Sequence, residues 1–169
     1  MTTTQTGASL AACAIAIAIL GIQLRRWWVG GRAWKDLLHT VQGFITGALG
    51  TICAGGLLGW LAGCTRQIAN GGGSKAVTGI TGTDSSTPIA TGSIGQLTEE
   101  GGVIVFLLAV LLFITYKAVS KEDKGKLLGS MAAGFILCVT AGVAGLLTGL
   151  PDAVNGLGLS AANMLAGNA

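Results

Sequence analysis

Charge is scarce in this chain. Only 10% of its 169 residues are charged, where soluble domains carry about 25%, and the mean hydropathy is +0.71. That balance excludes an ordinary soluble domain and indicates an integral membrane protein. Proline occurs twice and histidine once, as His39, so a His-pair metal site is ruled out, and His39 reads as an interfacial residue. Cys13, Cys53, Cys64 and Cys138 lack the C-x-x-C spacing of a zinc site and suggest no disulfide framework. H-E-x-x-H and G-x-x-x-x-G-K-[ST] are missing, and "NGGGSK" has the wrong spacing for a phosphate loop. No serine has a base placed to activate it. These absences predict a non-enzyme without catalytic residues, metal or cofactor, bound phospholipid aside.

Glycine, at 29 residues, is more than twice its usual ~7% share. It lies within apolar runs, as in membrane helices packed backbone to backbone. Four such runs, about 8–24, 37–63, 101–119 and 127–150, predict an all-α protein with four transmembrane helices in two hairpins, 1–64 and 101–150. Between the hairpins, 65–100 is rich in Gly, Ser and Thr and reads as a loop, with a β-hairpin through "KAVTGIT" and "TPIATGSI" as the weaker alternative. Residues 151–169 read as a mildly apolar tail.

Eight of the ten cations fall in the two hairpin turns: Arg25, Arg26, Arg32 and Lys35, then Lys117, Lys121, Lys124 and Lys126. By the positive-inside rule both turns face the cytoplasm, and the 65–100 loop and both termini lie outside. "RRWWVGGRAWK" also mixes arginine with tryptophan, which can stack on bases. An interfacial segment of lipid-facing Trp and headgroup-facing cations explains it as well.

The second helix of each hairpin carries a similar pattern. "GGLLGWLAG" aligns without a gap on "AGVAGLLTG", which places Gly55, Gly59 and Gly63 beside Ala141, Gly145 and Gly149. Each set recurs every fourth residue and predicts a close helix–helix contact, a homo-oligomer and an internal duplication. Leu61-Ala62-Gly63-Cys64 resembles a lipoprotein lipobox, but a whole apolar run precedes it, so Cys64 reads as a plain helix end.

The hairpin 101–150, with its cationic turn "KAVSKEDKGK" and its Gly/Ala-rich second helix "GSMAAGFILCVTAGVAGLLTG", resembles the major pilins of conjugative type IV secretion systems. That resemblance implies subunits stacked in an extracellular tube with lipid between them and the turn facing the lumen. The chain departs from the family in its four runs and in having no recognisable cleaved leader. The expectation is a structural membrane subunit of a bacterial secretion or DNA-transfer apparatus. Its partners would be membrane lipid, copies of itself and secretion-machine proteins, with nucleic acid as passing cargo. The alternatives are a holin-like phage pore former and an accessory subunit of a larger membrane complex.

Overall fold

A computed structural model describes residues 8–32, 34–53, 56–83, 89–92 and 95–167. Within them the chain forms seven helices: α1 (Leu10–Val29), α2 (Trp34–Ile52), α3 (Gly56–Thr81), α4 (Glu99–Ala118), α5 (Lys121–Leu137), α6 (Ala141–Leu146) and α7 (Gly149–Leu165). α1, α4 and α5 begin at a Ser or Thr N-cap: Ser9, Thr98 and Ser120 accept from the backbone N–H of Ala12, Gly101 and Asp123. Such caps satisfy donors that the first turn leaves unpaired. Glu99, Glu100, Glu122 and Asp123 fall in first turns, where the helix dipole favours them.

Among the described residues two helices, α1 and α4, are long and apolar enough to cross a membrane; a third span arises if α2 and α3, bent by 101°, count as one. The expected spans 37–63 and 127–150 are not continuous helices. α2 stops at Ile52, and the chain turns through Gly56, whose φ of +72° suits glycine. α5 stops at Leu137 because a distant segment takes over its backbone pairing. Gly92 N–H donates to Val139 O and Ala141 N–H to Ala90 O, each at 2.9 Å. Ile89 N–H likewise reaches Ala8 O at 2.9 Å. This strap, 89–92, stands apart from the weaker β-hairpin alternative: "KAVTGIT" lies within α3, and part of "TPIATGSI" lies outside the described residues.

The expected loop therefore starts only after Thr81, and the expected tail is α7, packed on α4. A run of three glycines, Gly71–Gly73, should weaken a helix by about 1 kcal/mol per residue. α3 persists there because Gly73 lies on the backbone of α1: a Cβ on it would come within 3.1 Å of Ala11 C and 3.2 Å of Ala12 N.

The closest helix contact joins α2 and α5. A Cβ on Gly43 would overlap the Leu127 carbonyl and Ser130 hydroxyl, one on Gly47 the Met131 carbonyl, and one on Gly50 the Phe135 ring. From the other side, a Cβ on Gly134 would sit 2.6 Å from Phe44 O. The residue numbers rise together, so the two helices are parallel. α1 runs against them: Gln23 Nε2 donates to Lys126 O at 3.2 Å, while Ala12, Cys13 and Ala16 pack with Ala133, Ile136 and Leu137. α4 is antiparallel to α2, with Gln42 Nε2 on Thr115 Oγ1 at 3.3 Å and Leu49 against Val105. Both hairpin turns consequently lie at the same end of the bundle.

α3 and α7 dock on the opposite ends of α1 and α4 by the same device. Asn70 Oδ1 accepts from Ser9 N at 2.8 Å, and Asn155 Oδ1 accepts from Thr98 N at 3.0 Å. Three residues further on, Gly73 rests on Ala11 and Ala12, and Gly158 on Glu100 and Gly101. "NGGG" and "NGLG" thus occupy matching places, each holding the capped start of the first helix of its half.

Substituting Gly47→Ala should destabilise the fold by about 1–3 kcal/mol, the usual cost of overpacking. Gly21→Ala, with open space around it, should stay within about 0.5 kcal/mol. Unfolding of the full chain in detergent checks both; equal effects would refute the close contact.

Candidate functional site: the basic end of the bundle

At the first turn, α1 continues through Arg25, Arg26, Trp27 and Trp28 instead of ending near residue 24. Gly30 N–H closes the helix on Arg26 O at 2.8 Å, and Gly31 and Arg32 follow at φ +91° and +58°. A positive φ is uncommon for a non-glycine residue. Here it places the Arg32 guanidinium 3.7 Å above the Trp28 ring, which in turn meets Trp27 edge-on at 6.2 Å. Stacking of this kind orients a cation without neutralising it. Arg25 and Arg26 are exposed. Lys35 lies in the first turn of α2, and its side chain is outside the described residues.

At the second turn, Lys117 lies 5.6 Å from the Phe113 ring and Lys124 lies 5.2 Å from Tyr116. Lys126 Nζ pairs with Asp123 Oδ1 at 2.8 Å. Hydrogen bonds from Lys126 and then from Ser120 hold the Asp123 carboxyl below its ordinary range. Lys121 is exposed. Seven of the eight predicted cations are thus described, and the fold gathers them at one end.

Beside the first turn, an apolar cavity of about 160 Å³ opens where Leu20, Gln23, Leu24 and Trp27 of α1 face Leu37 and Thr40 of α2. His39, half-buried at the start of α2, contributes to the field on Asp123, and its Nδ1 is buried without a partner. Among the described residues, no group of three or more His, Cys, Asp or Glu converges.

Among the described residues of the small-residue stripes that the sequence suggested, Gly63, Gly145 and Gly149 make no close helix contact within this chain. A Cβ on Gly63, Gly145 or Gly149 would meet nothing, Ala141 is exposed, Gly59 is only half-buried, and Gly55 lies outside the described residues. The intrachain contact uses Gly43, Gly47 and Gly134. Cys64 is also not a helix end: it lies within α3, half-buried.

Sequence reasoning passed over Arg66, assigned to a loop. It lies on α3 with only 7% of its surface exposed, the one buried charged side chain among the described residues. Its only signal in the sequence is position, one turn before the asparagine that docks α1.

No family model, no curated protein and no solved structure matches the chain.

The lowered pKa of Asp123 gives an acid-sensitive first turn of α5. Its contribution is present above the ordinary carboxylate pKa of about 3.9 and is lost as pH falls through the lower folded value. The protection of the amides at 121–124 against hydrogen exchange, taken relative to the intrinsic rate at each pH, should fall in acid, and Asp123→Asn should flatten that dependence. An unchanged pH profile in the variant would contradict the pairing.

Proposed function

We propose that the chain is a structural, non-catalytic membrane subunit of a bacterial secretion or DNA-transfer apparatus, built from two duplicated halves. α1 with α2 and α3, and α4 with α5 and the α6–α7 segment, play equivalent parts. The observation that carries this reading is the convergence of both cationic turns at one end of the bundle, brought about by the parallel α2/α5 contact. A cluster of arginine and lysine at one end of an apolar bundle orients it in a membrane and meets anionic headgroups; passing nucleic acid would meet the same charges. The repeated Asn–N-cap docking and the paired "NGGG" and "NGLG" segments support the duplication.

Orientation is tested by single cysteines in a cysteine-free background. A membrane-impermeant maleimide on intact cells should label Thr83→Cys and leave Lys121→Cys unlabelled; the reverse pattern would refute the topology. Role is tested by co-purification from the native membrane with the ATPase or coupling protein of a transfer system. Rapid membrane lysis on expression would favour a phage pore former instead.

Self-association is the second part of the proposal. Gly63 and Gly145 have open space around them, and small residues let helices of neighbouring copies approach. Gly63→Leu with Gly145→Leu should leave the unfolding midpoint nearly unchanged while lowering oligomer size in mild detergent. An unaltered oligomer would refute this use of the stripes.

A further inference from the structure

The two halves differ at one interior position in a way the fold does not require. One turn before Asn70 stands Arg66; one turn before Asn155 stands Pro151, which is fully buried. An apolar residue therefore serves the architecture at the equivalent place. A buried guanidinium is costly unless its charge is met, and in a membrane protein a buried ionisable residue marks a functional site.

Nothing described in this chain meets that charge. The Arg66 side chain makes one hydrogen bond, from Nε to Ala62 O at 3.2 Å. Ala62, one turn before it, packs with Met131 and Phe135, and Ala69 packs against Ala8, Ala12, Cys13 and Ala16. The helices packed on α3 are α1, α2 and α5. α1 has no acidic residue, and the acids of α2 and α5 are Asp36, Glu122 and Asp123, all in first turns at the basic end. Arg66 keeps 7% of its surface exposed, and its four Nη N–H donors make no hydrogen bond to a described residue.

We infer that Arg66 is an anion site on α3, distinct from the basic end, that takes a phosphate group through its free guanidinium edge. Planar, bidentate pairing with phosphate oxygens is what this fork does best. The same chemistry is offered by a phospholipid headgroup or by free phosphate. The inference does not depend on the secretion reading, and only its lipid arm depends on membrane residence.

The test is thermal unfolding of the full chain in detergent at constant ionic strength. One arm adds inorganic phosphate; the other adds phosphatidylglycerol, compared with diacylglycerol, which lacks the phosphate. Wild type should be stabilised, Arg66→Gln should lose apparent affinity at least ten-fold, and Lys75→Gln, an exposed cation further along α3, should respond like wild type. A response to phosphatidylglycerol alone assigns the headgroup as ligand; a response to inorganic phosphate as well assigns the phosphate group itself. No stabilisation of wild type by either probe, or an Arg66→Gln response equal to wild type, overturns the site. Should Arg66→Gln fail to fold, phenylglyoxal modification of wild type decides. Protection of Arg66 by the stabilising probe supports the site, and equal modification with and without it overturns the site.

Discussion

The arrangement depends on one close contact between two parallel helices. Gly43 and Gly47 on α2 and Gly134 on α5 leave no room for a Cβ, so the backbones meet directly. Helices in a lipid-like setting gain little from excluding water, and association rests on packing at short range. With α2 and α5 parallel, α1 packs antiparallel on α5 and α4 antiparallel on α2. Both connecting turns then fall at one end, together with their cations.

The two halves also solve the same problem at the opposite end. A helix start is electrically positive and has unsatisfied N–H groups. Ser9 and Thr98 each cap their own helix and donate their backbone N–H to an asparagine on α3 or α7. Glycines three residues later let these crossing helices lie flat on the capped turns. The strap at 89–92 links the two halves at this end, where it joins Ala8 to the break after α5. The molecule has a charged end made of turns and a second end made of caps, asparagines and a strap.

The parts legible in the sequence were those set by local composition. The long apolar runs of α1 and α4 and the basic turns between helices follow from residues adjacent in the chain. The breaks do not. α5 ends at Leu137 because Ala90 and Gly92, far away in sequence, supply its missing hydrogen bonds. α3 was hidden because Gly71–Gly73 suit a loop, and only the backbone of α1 lying against Gly73 makes them helical. The glycines of the intrachain contact are not legible for a related reason. Gly43 and Gly47 have the same spacing as Gly59 and Gly63, and only the facing helix tells them apart. The burial of Arg66 is not legible because the composition of 65–100 suits a loop; it follows from the helix.

The central claim, that the α2/α5 contact brings both basic turns to one end, is tested most directly by a distance measurement. Spin labels at Val29→Cys and Gly125→Cys, in an otherwise cysteine-free full chain, report the separation of the turns by double electron–electron resonance. Adjacent helices pack about 8–10 Å apart, so the account predicts a mean well below the ~30 Å length of a twenty-residue helix. A distribution centred at or beyond that length would place the turns at opposite ends and contradict it.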